Sequence, residues 1–352
     1  MAREIINTRP LDERETSILQ AVVYEHISTG RPVGSRSFVQ KYSFSISPAT
    51  MRNVMFDLES MEFVKQPHTS AGRIPTDKGY RFYVNSLLDS YHFSLKDRVI
   101  SVKEEAVRRE VQLDKIFSLI TRMLSSESRY AAIMLTPRFD FTVVKRIVLV
   151  PMDNNEVLFI LVTRTGMVLT RKVMISSTVP QDELYDYSKY LTGELSGYSI
   201  NEIRDTVFNR LRKEKAEGMN KEMALDIAQL AIADYEEPNL HVDGIENLLK
   251  IPEMVEEGRL QSLLSIIEEK NILRRILERA LENEGVWTLI GEEIDEERVT
   301  GCSMVSTSYK IGNKLVGAIG VIGPTRMDYE KVVPLVDYTG RVVTELLTEV
   351  SK

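Results

Sequence analysis

The chain has 352 residues, a length that suits two or three domains rather than one. With 43% hydrophobic and 28% charged residues it has the composition of a water-soluble globular protein, and its single cysteine, Cys302, excludes internal disulfides and paired-cysteine zinc sites. The net charge of −7 is unevenly divided: Arg31 to Phe82 holds eight basic residues against four acids, a net +4 that leaves −11 for the rest.

Asp12-Glu-Arg-Glu15 reads as a capping box and opens a helix carrying Ile18, Leu19, Val22, Val23 and Ile27. Gly30 and Pro32 stop it. Ser35 is expected to cap a short second helix with Phe38, Val39 and Tyr42. Ser47-Pro48 supplies an N-cap and an N1 proline for a third, running to about Met61. A short extended run, Phe63–Gln66, a polar turn, His68–Gly72, and a second short run follow, and Thr76 caps a fourth helix with Tyr80, Val84, Leu87 and Leu88. Residues 95–128 read as helical. Three strand-like runs come next, Val143–Val150, Val157–Thr163 and Val168–Ile175, joined by turns into an antiparallel meander. Gln181 to about Glu236 is helical with breaks near Gly197 and Gly218. Leu240–Val242 is extended, and an amphipathic helix is expected from Glu257 to Leu281. Val286–Ile290, Ser303–Lys310 and Leu315–Ile322 are strand-like, the last two flanking a Gly312-Asn313 hairpin turn, and a helix closes the chain over Tyr329–Val350. Strands and helices in this order predict an α+β body around an antiparallel sheet, with the helical block between its strand-rich halves as an insertion.

Three helices followed by strand, exposed basic turn and strand outline a winged helix-turn-helix. In the third helix Met51, Val54, Met55 and Leu58 follow helical spacing and face a core. The opposite face of its first two turns shows Ala49, Thr50, Arg52 and Asn53. Arg pairs bidentately with guanine O6 and N7, Asn with adenine N6 and N7, and Ala49 and the Thr50 methyl suit a thymine methyl. The helix start at Ser47 favours a phosphate. In the turn His68-Thr-Ser-Ala-Gly72, hydroxyls and backbone N–H groups suit phosphate oxygens, and Arg73 or His68 reaches toward a minor groove. The competing reading of each feature is a solvated helix face and an ordinary surface hairpin.

Catalytic and metal readings find little support. His26, His68, His92 and His241 lack metal-ligand spacing, and neither a Walker A loop nor a G-x-S-x-G elbow is present. Gly317-x-x-Gly320-x-x-Gly323 lies in a strand-like run and reads as close backbone packing. The acidic run Glu292, Glu293, Asp295, Glu296 and Glu297 reads as a solvated loop, and Cys302 as a small core residue. No enzyme, cofactor or metal is expected. Arg3, Glu4 and Arg9 interrupt any secretory segment, and the longest apolar runs fall far short of the ~20 residues that span a bilayer, so a cytoplasmic protein is expected.

Ser47–Tyr83 resembles, almost residue for residue, the signature of the heat-inducible transcription repressor family HrcA. Three other segments are similar to the family's motifs: Arg31-Pro-Val-Gly-Ser-Arg36, His241-Val-Asp-Gly-Ile-Glu-Asn-Leu-Leu249 and Val316-Gly-Ala-Ile-Gly-Val-Ile-Gly-Pro-Thr-Arg-Met327. Gln40, Phe44-Ser-Ile46 and Phe56 depart from its pattern. The resemblance implies a repressor of heat-shock chaperone operons that binds double-stranded DNA at an inverted repeat of the CIRCE type as a homodimer. It implies dependence on a GroEL-type chaperonin. It also implies a winged-helix domain at 1–90, a GAF-like domain at 91–150 and 238–352, and a dimerising insertion at 151–237. The DNA-contacting set is then Ser35, Arg36, Ser47, Ala49, Thr50, Arg52, Asn53, His68, Thr69, Ser70 and Arg73. A ligand-sensing regulator with a small-molecule pocket in its GAF-like domain is the alternative.

Overall fold

The computed structural model describes residues 9–42, 44–68, 71–89, 113–137, 143–164, 166, 168–213, 221–233, 240–256, 270–282, 284–296 and 301–350. The chain begins with α1 (Glu13–Thr29), whose capping box forms as the sequence predicts: Glu15 N donates to Asp12 Oδ1 at 2.7 Å and Asp12 N to Glu15 Oε2 at 2.9 Å. It ends at Gly30, left-handed at φ 67°, whose N–H donates to the His26 carbonyl. Next come α2 (Ser35–Tyr42) and α3 (Pro48–Ser60). Ser35 is the first residue of α2 rather than a cap before it. The strands β1 (Val64–Lys65) and β2 (Ile74–Pro75) pair antiparallel, and α4 (Asp77–Asp89) leads away. The extended run predicted over Phe63–Gln66 shrinks to two residues. Pro67 and Pro75 bring no N–H to a ladder, so the pairing stays short. Ile18, Leu19, Val22, Met51 and Leu58, all fully buried, join these helices.

The body is built on five antiparallel strands: β3 (Ala131–Leu135), β7 (Leu240–Asp243), β8 (Val286–Ile290), β9 (Cys302–Ile311) and β10 (Lys314–Pro324), in the order β7-β3-β10-β9-β8. The helix α5 (Leu113–Ser128) precedes β3, and α12 (Tyr329–Val350) ends the chain. Side chains alternate between the two faces of the sheet. Ala132, Met134, Val305, Ile319 and Val321 pack on the side of α5 and α12. Ala131, Ile133, Leu135, Met304, Ala318 and Ile322 pack on the side of α11 (Lys270–Glu278). The first of these cores is continuous with the core of α1–α4. Gly317 and Gly320 give room for neighbours: a Cβ on Gly317 would stand 2.2 Å from Tyr309 Oη, and one on Gly320 2.8 Å from the Val305 carbonyl. The glycine spacing is therefore a packing device, as read from the sequence.

Between β3 and its neighbour β7 the chain leaves the sheet and forms a second one. Here β4 (Val144–Pro151), β5 (Glu156–Thr163) and β6 (Val168–Met174) make the expected antiparallel meander. Three helical segments cover its inner face: α6 (Gln181–Leu195), α7 and α8 (Lys221–Ala233). The middle one, α7, comprises Ile200–Glu202, a π-helical Ile203–Val207 and Phe208–Lys213. The helical break read at Gly197 is real, with φ 91° there, whereas that at Gly218 lies outside the described residues. β4 belongs wholly to this second sheet, as in the meander read from the sequence, while the insertion implied by the family resemblance begins at residue 151. The second core is separate from those of the five-stranded sheet. Ser188 and Thr192 of α6 accept the N–H groups of Leu149 and Ile147 at 2.9 and 3.0 Å, closing the outer edge of β4.

The short helices α9 (Ile245–Leu248) and α10 (Pro252–Glu256) follow β7. The long amphipathic helix read over Glu257–Leu281 is described only from Lys270, where Leu273, Ile276 and Leu277 are buried as its periodicity predicts; its earlier part lies outside the described residues. Among the described residues no helix is long and apolar enough to cross a membrane, and no three His, Cys, Asp or Glu side chains cluster as metal ligands.

Candidate nucleic-acid interface

α3 starts where Ser47, extended at φ −73° and ψ 154°, accepts the Thr50 N–H on its Oγ at 3.0 Å, with Pro48 in the first turn. Met51, Met55 and Leu58 are buried on one side. On the other, Ala49, Arg52, Asn53 and Phe56 are exposed, at i, i+3, i+4 and i+7, so they form one stripe along the helix. Phe56 is 61% exposed. Arg36 on α2 and Arg31 before it are also exposed, and neither they nor Arg52 has an acidic partner among the described residues. Ser35 and Thr50 are half-buried, and Thr50 Oγ1 contacts Ser47 Oγ at 2.9 Å.

The hairpin is tied down at its base. Val33 and Arg73 form an antiparallel bridge through reciprocal bonds of 2.8 and 2.9 Å, joining the hairpin to the segment before α2. Gly72 makes this possible, because a Cβ there would stand 2.4 Å from the Val33 carbonyl carbon and oxygen. Gln66 Nε2 donates to the Ala71 carbonyl at 2.9 Å across the turn. His68 is exposed at the tip; Thr69 and Ser70 lie outside the described residues. Arg73 is placed differently from the sequence reading. Its guanidinium Nη2 lies 2.8 Å from Glu59 Oε2 of α3, its side chain is only 16% exposed, and its Nε is buried without a partner. In this structure Arg73 holds the hairpin against α3 instead of extending outward.

A contact no sequence motif announced fixes α1 and α4 against the body. Arg81 on α4 donates from Nη1 to Thr288 Oγ1 at 2.6 Å and from Nη2 to the Thr288 carbonyl at 2.8 Å, and pairs with Glu293. Asp77 accepts the Glu292 N–H at 3.0 Å. Tyr83 donates to Glu330 at 2.7 Å. Arg326 donates to the Ile27 carbonyl at 2.8 Å and pairs with Glu253. Glu292 and Glu293, read from the sequence as part of a solvated loop, are thus structural partners of α4. Beside the junction lies a cleft of about 890 Å³ whose walls include Tyr24, Tyr83, Tyr130, Arg326, Asp328 and Lys331. It sits outside the core of the five-stranded sheet.

His26 reports on this junction. Its Nδ1 is 2.7 Å from Tyr80 Oη, and burial, with the Arg326 guanidinium adding to it, lowers its pKa from 6.5 to about 4, against a smaller opposing pull from Glu253. Between these values the unfolded chain holds the proton and the folded chain does not. Stability therefore falls as pH drops from 6.5 toward 4. The expected loss from this group is about 2 kcal/mol, read as a falling urea midpoint between pH 7 and 4.5. His26→Gln should flatten that part of the profile; an unchanged slope would exclude His26 as its source.

The family description "HrcA protein C terminal domain" matches residues 114–333. The heat-inducible transcription repressor HrcA of Leptospira biflexa is 35% identical over 345 residues, covering 97% of this chain and 99% of its own. The chain belongs to the HrcA family. Similar likenesses extend to the HrcA repressors of Geobacter sulfurreducens, 36% identical over 343 residues with 96% and 98% coverage, and of Pelotomaculum thermopropionicum, 33% identical over 346 residues with 97% and 98% coverage. A crystal structure of a hypothetical protein at 2.2 Å resolution shares the fold, with a TM-score of 0.67 and 23% identity over 97% of this chain and all of that one. HrcA membership accounts for a likeness that spans nearly the whole chain, and the family is one of transcription repressors rather than enzymes. Sequence reasoning did not single out Phe56 as a site residue, and it missed the Arg81 and Arg326 clamps, whose partners Thr288 and Ile27 lie more than 200 residues away.

Proposed function

We propose that this HrcA-family chain is a heat-inducible transcription repressor that reads an inverted-repeat operator of the CIRCE type. In this reading residues 9–89 act as a winged helix, with α3 in the major groove and the β1–β2 hairpin as the wing. The observation that carries it is the exposed stripe Ala49, Arg52, Asn53 at the start of a capped helix, flanked by the exposed Arg31 and Arg36. Ser47 and the first N–H groups of α3 suit a phosphate, and Ser35, Arg36 and His68 are assigned to backbone contacts that position the head. Arg73 supports the wing through Glu59 and the Val33 bridge, and Thr69 and Ser70 belong to the same turn. The five-stranded sheet with its helices serves as a GAF-like body.

A palindromic operator calls for a two-fold protein. The outer face of the three-stranded sheet is suited to supply it. Val148, Ile160, Leu158, Val162 and Val168 lie on that face in paired register, with the exposed Val150 and Met174 toward one end and Arg146, Thr170 and Lys172 among them. In the repressor dimer a second copy of this chain covers this face. A GroEL-type chaperonin is the further partner. It raises the fraction of chains able to bind DNA and leaves the affinity of folded chains unchanged.

Arg52→Ala or Asn53→Ala should each weaken operator binding by about 1–3 kcal/mol and relax preference at one base position per half-site. Mobility shift on operator and on random DNA measures this, and repeating the titration with chaperonin separates active fraction from dissociation constant. Equal losses on both DNAs would make these side chains phosphate contacts. A changed dissociation constant at constant active fraction would replace the folding role of the chaperonin with direct allostery.

A further inference from the structure

Phe56 is the largest exposed apolar side chain on α3, and it stays 61% exposed beside the described residues. It does not belong to the core face, where Met51, Met55 and Leu58 are buried. It stands four residues after Arg52 and three after Asn53, on the same exposed stripe. At 1.5 Å per residue it lies roughly 4.5–6 Å further along the helix axis than those two, a distance of one to two base-pair steps. Arg52 and Asn53 on the stripe, with the exposed Arg31 and Arg36 outside it, mark this as a surface for a nucleic acid rather than for an apolar protein partner. Within a major groove the apolar feature available to a phenyl ring is the C5-methyl of thymine, since the other groove edges are donors and acceptors.

We propose that Phe56 is a specificity-determining residue that recognises a thymine methyl one or two base pairs beyond the position read by Arg52 and Asn53. This rests on the reading of α3 as the recognition helix and deepens it. The other exposed side chains near this end of α3, Asp57 and Ser60, offer no comparable apolar surface. Phe56 would thus select thymine over cytosine at that step by burying the methyl, and over a purine by shape.

The test uses the full chain and an inverted-repeat operator in which thymines are replaced by deoxyuridine, one symmetric pair at a time. Deoxyuridine removes the methyl alone and keeps the pairing. At one position per half-site the substitution should weaken wild-type binding by about fourfold for each methyl lost from contact. Phe56→Ala should bind the unmodified operator correspondingly more weakly and be indifferent to deoxyuridine at that position. Phe56→Leu should retain part of the discrimination, and Arg52→Ala should keep all of it. Because Phe56 is exposed, its variants should melt like the wild type. If Arg52→Ala and Asn53→Ala weaken binding while no deoxyuridine position distinguishes wild type from Phe56→Ala, the role of Phe56 is overturned and the reading of α3 stands. If none of the three substitutions changes operator binding, α3 is not the reading helix and both fall.

Discussion

Replacing Ile160 by Glu should turn a dimer into a monomer and weaken binding to a full inverted-repeat operator by at least about 100-fold. Ile160 sits at the centre of the outer face of the three-stranded sheet, opposite Val148 on β4 and Thr170 on β6. A carboxylate there would have to lose its water in any face-to-face pairing of two sheets, at the apolar centre of the face and with Arg146 and Lys172 only at its diagonal neighbours. Linking two heads through one body makes the second half-site contact intramolecular, and such linkage raises affinity by about 10²–10⁴. Losing it forfeits that factor without touching either head. Sedimentation gives the mass and mobility shift the affinity; binding to an isolated half-site should stay as it was. A variant that remains dimeric with full operator affinity would place the two-fold interface elsewhere.

Gly317→Ala should destabilise the body by about 3 kcal/mol. The added Cβ would stand 2.2 Å from Tyr309 Oη and 2.5 Å from the Leu135 carbonyl. That carbonyl accepts the hydroxyl of fully buried Tyr309 at 2.5 Å. The methyl displaces the hydroxyl and leaves a buried carbonyl short of its donor. Trp287, the single tryptophan, lies on β8 of the same sheet, so its fluorescence during urea unfolding follows this body. Adding Tyr309→Phe to Gly317→Ala should recover part of the loss by removing the clashing oxygen. An unchanged midpoint for Gly317→Ala would mean the sheet shifts freely at this bulge, where the β9–β10 register already slips between Leu315 and Gly317.

Most helices and the outer strands were legible because their signals are local. The Asp12–Glu15 box, the Ser47-Pro48 start and the Gly312 turn act through residues a few positions apart. β3 was not anticipated. Its sequence Ala-Ala-Ile-Met-Leu is buried at every position, so it has no alternation to mark it as a strand and follows directly on a helix. The meander that follows was legible by contrast, because Val144–Pro151 is joined by a tight turn to its partner β5. For the site, α3 was legible from its capping and its apolar spacing. The inward turn of Arg73 toward Glu59 was not, because an arginine beside a glycine turn reads the same whether it faces outward or bridges to a helix fourteen residues earlier. The junction residues Arg81 and Arg326 lay beyond reach, since contacts at such separation leave no periodic trace.

The position of β3 has a consequence for the order in which the chain can assemble. Its two neighbours, β7 and β10, begin more than 100 and nearly 180 residues downstream. During synthesis at about 5–20 residues per second, a fully apolar strand therefore waits roughly 10–40 s for its second partner. The intervening sheet, with its own separate core, can close in that time. The waiting strand cannot, and its two open edges and both apolar faces remain available to any binder of extended chain. A newborn body of this topology therefore passes through an interval in which these edges and faces stand open before the second partner arrives.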